Sequence, residues 1–283
     1  GPGKGRARGK TTPGDAASTP RPVREQPLVG RAALITGAAG AIGAAIAFEL
    51  GRSGAKLRLI DRDGSGLARL LGSLRPEGIE ADFEVVDLSE PGLIRETVQR
   101  LERSRGDTDI LVNNAGVFGP TKPATEVTIE EWNHVLQVNL TAALVLCQCV
   151  LPGMIERGFG RIINIASVAG KGAYPLRVPY SVSKWGLIGL TQTLAAEAGI
   201  QGVTANAVCP GPVDGERIRA IIRDRADRQA RSIEDVTSDY VSLSAMKTMV
   251  TAEDVAAMVA FLAGPGAARI TGLAIDVSAG FRL

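Results

Sequence analysis

The chain is poor in several residue types, and each shortage closes off a kind of chemistry. It holds one histidine, His134, in 283 residues. A histidine-built metal site or a Ser-His-Asp triad needs more, so no metal is expected. Three cysteines, Cys147, Cys149 and Cys209, are too few for a disulfide framework and point to a reducing, cytoplasmic setting. Cys147 and Cys149 are two apart and face different sides of a helix, so they make no redox or metal pair. Net charge is nearly absent, with Lys plus Arg at 32 against Asp plus Glu at 30. No general attraction to nucleic acid or to an anionic membrane follows from that balance. No apolar run reaches the length of a membrane span, and the N-terminus lacks the apolar stretch of a secretory signal. Aromatics are scarce at 4%, yet 45% of the chain is hydrophobic, enough for a sizeable core.

Residues 1 to about 28 stand apart. They are rich in Gly, Pro and Arg and nearly free of apolar side chains, so ordering them would cost more than burial returns. They read as a flexible basic tail, with a transit peptide or a nucleic-acid arm as weaker readings. From residue 29 to 283 the pattern is one domain. Short apolar runs (Ala32–Thr36, Lys56–Ile60, Asp82–Val86, Asp109–Val112, Arg161–Ala166, Val203–Val208, Leu273–Val277) alternate with helical stretches. Ser89 can cap a helix whose first turn holds Pro91. Thr128 and Glu131 form a capping-box pattern that opens a long helix to about Met154, and Thr251 with Asp254 opens the last helix. Val178–Ala198 reads as a further helix. Strands of this kind between helices define an α/β fold, a doubly wound parallel sheet with helices on both faces, the Rossmann arrangement. Ligands of such sheets bind beyond the strand C-termini.

The first strand runs into Thr36-Gly37-Ala38-Ala39-Gly40-Ala41-Ile42-Gly43. Small residues there let the backbone approach a pyrophosphate, and the helix start supplies free N–H groups and partial positive charge. Asp61 closes the second strand, where a carboxylate accepts the adenosine ribose hydroxyls and repels a 2′-phosphate. That, with no basic residue at Gly40, favours NAD over NADP, although Arg62 follows. Asp87-Leu88 follows the third strand, and Asn113-Asn114-Ala115-Gly116 the fourth. A carboxylate at Asp87 can meet the adenine, and the small residues leave the cofactor room.

Tyr180 and Lys184 are four apart at a helix start and share a face. A phenol ordinarily ionises near pH 10, too high for proton transfer at neutral pH; a neighbouring ammonium and an oxidised nicotinamide lower that value. Ser167, ending the fifth strand, can orient a substrate oxygen. Taken with Gly37–Gly43, Asn113–Gly116 and Pro210-Gly211, all in order, the chain resembles the short-chain dehydrogenase/reductase family from about Leu28 to Leu283. The resemblance implies that Tyr180 is the general acid/base and that Lys184 lowers its pKa and binds the nicotinamide ribose. Ser167 would hold the substrate oxygen, and Asn139 would position a water for proton relay. It also places Ile42, Asp61, Asp87, Leu88, Asn114 and Val213 against the cofactor, beside Gly37, Ala41, Gly43, Ala115, Gly116 and Pro210. A homotetramer is the family expectation.

Three positions depart from the family pattern. Ala41 replaces a glycine, Gly215 stands where a Thr usually meets the nicotinamide amide, and Val277-Ser278-Ala279-Gly280 replaces a glycine pair. Residues 214 to 245 are charged and Arg-rich and read as a variable substrate flap of one or two helices. Lys171 and Arg177 are placed to meet an anionic substrate but read better as structural. Val117, Phe118 and Tyr174 are candidate pocket walls, and Trp185 a packing or interface residue. The leading function is hydride transfer between NAD(H) and a secondary alcohol or ketone. The alternatives are an NADPH-dependent 3-oxoacyl-type reductase and a non-catalytic dinucleotide-binding regulator.

Overall fold

A computed structural model describes residues 26–282. The expected basic tail lies outside the described residues as far as position 25. Leu28, at its edge, is already core: it is 2% exposed, and its N–H donates to the Ser53 carbonyl.

Seven strands are present: β1 (Ala32–Thr36), β2 (Lys56–Asp61), β3 (Ala81–Val85), β4 (Ile110–Asn113), β5 (Gly160–Ile165), β6 (Val203–Pro210) and β7 (Ala274–Val277). They form one sheet in the order β3-β2-β1-β4-β5-β6-β7, and every neighbouring pair runs parallel. In β1, β4, β5 and β6 every residue is buried, which requires a sheet covered on both faces. The winding reverses between β1 and β4, so a crevice opens beyond their C-terminal ends.

The helices are α1 (Ala41–Arg52), α2 (Gly64–Leu74), α3 (Pro91–Arg105), α4 (Ile129–Leu136), α5 (Ala142–Glu156), α6 (Val178–Ala198), α7 (Glu216–Gln229), α8 (Ile233–Ser242) and α9 (Ala252–Ala263). On one face α1 and α9 bury Ile46, Leu50, Val255 and Val259 against Ile35, Leu57 and Leu59 of the sheet. On the other, Ile94, Val98, Leu146, Val150 and Leu194 of α3, α5 and α6 pack on Leu34, Ile60, Leu111 and Ile162. The flap folds into α7 and α8, which share a small cluster of their own, built from Ile218, Ile222, Ala226, Val236 and Tyr240.

Both capping boxes form: Thr128 with Glu131 opens α4, and Thr251 with Asp254 opens α9. Ser89 does not cap α3. The N-cap is Glu90, without a side-chain bond: the Ser89 hydroxyl, like its N–H, is turned back to Asp87, and Pro91 needs no acceptor. The helix expected to run unbroken to Met154 contains a π turn at Gln137–Thr141, which the apolar period does not reveal. The whole helix from Ile129 to Glu156 is long and apolar enough by length and composition to cross a membrane, correcting the expectation that no run is. In this fold Ala142, Val145, Leu146, Val150 and Met154 are buried against the sheet side.

Candidate active site

The crevice at the β1/β4 reversal is a cleft of about 600 Å³. One wall is the turn from β1 into α1. Gly37 has φ +64°, and a Cβ there would stand 2.7 Å from Ala115 Cα. At Gly43 a Cβ would collide with the Gly37 carbonyl and stand 2.8 Å from Ala38 Cα. Neither position accepts another residue. No side chain caps α1 at Gly40, so its first N–H groups, which lack intrahelical partners, face the cleft that Gly40, Ala41 and Ile42 line. An uncapped helix start lined by small residues is an anion cradle. Ala41 in place of glycine leaves it open, since that residue is exposed.

Thr36 ties the two central strands together beneath this turn. Its Oγ1 accepts the N–H groups of Asn114 and Ala115, both at 3.1 Å. Asn114 Nδ2 returns donations to the carbonyls of Thr36 and Gly37. Asn113 lies deeper and donates to Asn164 Oδ1 at 2.8 Å, which in turn donates from Nδ2 to Thr191. The asparagines thus bridge strand ends, but only Asn114 lines the cleft, with Ala115 and Gly116.

Asp61 sits at one end of the cleft, half-buried, its two oxygens each accepting one backbone N–H, from Ala39 and Asp63. Each keeps a lone pair for a further donor. Asp87 and Leu88 line the same end. The Ser89 amide, then its hydroxyl, hold Asp87 below the usual carboxylate range, so it stays an acceptor. Ser167 follows β5, three strand spacings from Asp61 across β1 and β4. At the usual ~4.8 Å per strand that separates the two ends by about 14 Å, room enough for an extended dinucleotide. Among the described residues no cluster could hold a metal.

At the β5 end Tyr180 and Lys184 project from the first turns of α6. The Tyr180 ring lies 4.8 Å from that of Phe118 and 6.4 Å from that of Tyr174. Burial among them pushes its pKa up; the Ser167 hydroxyl, Arg217 and Arg177 pull it back, in that order, without cancelling the rise. Lys184, expected from the sequence to do this, sits with its Nζ 5.7 Å from the phenol ring centroid and donates to the Ile165 carbonyl at 2.8 Å. Arg217 and Arg177 add their charge to that of this nearby ammonium. Burial, then Arg217, lowers Lys184 itself to about 8. Gly170 permits this packing, because a Cβ there would stand 2.7 Å from the Lys184 carbonyl oxygen.

Asn139 is buried inside the π turn, and its side chain does not line the cleft. Its Oδ1 accepts from the Val117 N–H at 2.7 Å, while Nδ2 donates to the Val117 carbonyl and to Ser183 Oγ. Ser183 donates on to the Tyr180 carbonyl at 2.7 Å. The side chain therefore clamps the segment after β4 to the turn that carries Tyr180. Pro210, Val213 and Gly215 line the cleft, and Val213 pairs with Val250.

Lys171 is tied to Asp276 at 2.9 Å, and Arg177 is buried with a bond to the Gly119 carbonyl, so both take structural places. Trp185 is 52% exposed and away from the cleft. Four participants carry no signal in the sequence pattern: Thr36, Ser183, Tyr240 and Arg217. The last two come from the flap and line the cleft, a placement that depends on contacts distant in sequence, such as that of Arg217 with Phe118.

A small-residue turn at an uncapped helix start, between a carboxylate at one end of the crevice and a buried Tyr–Lys pair at the other, is the arrangement of the dinucleotide-dependent oxidoreductases of the doubly wound class. The profile of the short chain dehydrogenase family matches residues 31–226, and the chain belongs to that family. It is 35% identical to a 3-oxoacyl-acyl-carrier-protein reductase of Pseudomonas aeruginosa over 253 residues, covering 89% of this chain and 98% of that protein. A solved variant of actinorhodin polyketide ketoreductase with NADPH superposes with a TM-score of 0.85 at 37% identity, covering 89% of this chain and 97% of that one. An NAD+-bound xylitol dehydrogenase gives 0.84 at 29% identity, covering 88% and 98%. The protein is therefore an oxidoreductase of CH–OH or ketone groups that works with a nicotinamide dinucleotide.

Proposed function

We propose that the chain uses NAD(H) and interconverts a secondary alcohol and its ketone, with Tyr180 exchanging the proton on the substrate oxygen. The observation that carries this reading is the meeting of Ser167, Tyr180 and Lys184 at the β5 end of a cleft whose β2 end is Asp61. The nicotinamide, when bound, gives or takes the hydride. In reduction the Tyr180 hydroxyl releases its proton to the carbonyl oxygen; in oxidation the phenolate takes one from the alcohol. Ser167 donates to the same oxygen as charge develops on it. The buried Lys184 ammonium spends one donor on Ile165 and keeps others for the nicotinamide ribose. Asn139 acts on this group by position, through Val117 and Ser183.

The preference for NAD rests on Asp61, a carboxylate fixed by two amides where a 2′-phosphate would have to lie. The test is kcat/KM with NADH against NADPH over a panel of ketones, cyclic, aromatic and acidic. We expect NADH to lead, and Asp61→Ala to cut that lead by on the order of tenfold or more, since like charges in contact cost several kcal/mol. A clear NADPH lead in the unchanged protein would replace this reading with the NADPH-dependent 3-oxoacyl-type reductase, which the Pseudomonas relative favours. A non-catalytic regulator has no support from a site that keeps all its reacting groups. A homotetramer is supported by apolar residues left exposed on α4, α5 and α6, namely Ile129, Leu144, Val182 and Trp185; light scattering tests it. A reducing cytoplasm suits three cysteines that are all free.

A further inference from the structure

A ketone must be held in one orientation at Tyr180, and the flap supplies a group for that. The segment 214–245 carries six arginines. Five of them each have a carboxylate partner within the segment: Arg219 with Asp214 at 3.1 Å, Arg223 with Glu216 at 2.6 Å, Arg228 with Asp224 at 2.9 Å, and Arg225 and Arg231 sharing Asp239 at 3.9 and 2.6 Å. Arg217 has no carboxylate partner among the described residues. It stands in the first turn of α7 and lines the cleft. Its guanidinium carbon lies 5.2 Å from the Phe118 ring centroid, and that ring is the one packed 4.8 Å from Tyr180. Its charge reaches both reacting groups, Tyr180 and Lys184. Arg177 approaches the same ring at 5.6 Å but is buried and committed to Gly119.

A guanidinium stacked on an aromatic face keeps its plane and its fork of donors, the geometry that pairs with a carboxylate. We propose that Arg217 binds a carboxylate on the substrate, so that the protein acts on oxo acids and the matching hydroxy acids whose acid group stands a few bonds from the reacting carbon. One aromatic ring separates the arginine from Tyr180. A charge at the end of a long carrier arm would fall beyond it. This inference rests on Tyr180 being the proton-transfer group.

The test compares acetoacetate and levulinate with their methyl esters, which present the same ketones without charge. Reduction is followed with both dinucleotides for the unchanged protein, Arg217→Lys and Arg217→Gln. The unchanged protein should favour acid over ester in kcat/KM. Arg217→Gln should shrink that acid-to-ester ratio roughly 10- to 100-fold, chiefly through KM, the range for losing a charged hydrogen-bond partner. Arg217→Lys should retain part of it, keeping charge without the fork. The effect of Arg217 on Tyr180 acts on acid and ester alike and drops out of the ratio. Calorimetry supplies a readout free of turnover: levulinate affinity for Tyr180→Phe with dinucleotide bound should fall by a similar factor when Arg217→Gln is added. An acid-to-ester ratio near one in the unchanged protein, or one that survives Arg217→Gln, overturns the proposal. Turnover confined to neutral ketones overturns it while leaving the reading of Tyr180 standing; no turnover of any ketone or alcohol overturns that reading.

Discussion

Enclosing a phenol between Phe118 and Tyr174 removes water from its ionised form first, and at Tyr180 that loss outweighs the help from Ser167, Arg217 and Arg177. In the proposed role the residue starts as a protonated acid, ready for reduction, and oxidation needs the phenolate. Oxidation should therefore rise with pH through the Tyr180 pKa and reduction should fall. Removing the Arg217 cation takes away a group that favours the phenolate, so the oxidation limb of Arg217→Gln should move to higher pH; a pH series of kcat/KM for alcohol oxidation reads the shift, and a move to lower pH contradicts the assignment. Tyr180→Phe should lower kcat by about 10²- to 10⁴-fold, the usual share of general acid/base catalysis, while dinucleotide binding followed by fluorescence persists. That Ser167, Tyr180 and Lys184 share one cleft was legible because Tyr180 and Lys184 are local to one helix turn and Ser167 follows a strand; their proposed roles wait on the kinetics. Arg217 was not: nothing in a run of six arginines distinguishes the one whose neighbours leave it unpaired.

Local rules set most helix starts. Thr128 and Thr251 act through contacts three residues long, and such contacts survive any tertiary setting. Thr251→Ala should cost about 1 kcal/mol of stability, seen as a lower denaturant midpoint, because α9 packs directly on α1 and against the sheet. An unchanged midpoint would mean that packing alone holds α9 in place. Ser89 shows where local reading stops: the pattern fits a cap, but Asp87 claims its hydroxyl as well as its amide. The π turn stops it differently. The hydrophobic period runs through Gln137–Thr141 undisturbed, and what widens the helix there is a partner set distant in sequence, Val117 and Ser183, that bonds Asn139. The inner strands were legible as buried runs, although Arg58 and Arg161 lie in them at 5% exposure each; the edge strands β3 and β7 hold no buried residue. Arg58 survives burial by donating to Thr108 Oγ1 and to the Arg105 and Gly106 carbonyls.

For the molecule as a whole, the cleft lies where the sheet's winding reverses, so a ligand there bridges the two halves of the fold. Its binding free energy adds to stability: at a hundredfold excess over Kd a single site contributes about 2.7 kcal/mol. Under the proposed preference, NADH should raise the melting temperature more than equimolar NADPH, measured by scanning fluorimetry; an equal rise would remove the argument from Asp61. The parallel order of the sheet was legible from alternation alone, since continuous apolar strands between helices leave few topologies. The flap's placement was not, because α7 and α8 owe little to the main core. They bury Ile222 and Val236 against each other, and their arginines other than Arg217 find counter-charges on the same segment. A unit that satisfies itself in this way is a cassette. Exchanged for the matching stretch of a relative, it should carry the choice of substrate with it and leave the sheet, the phosphate cradle and the proton donor as they stand.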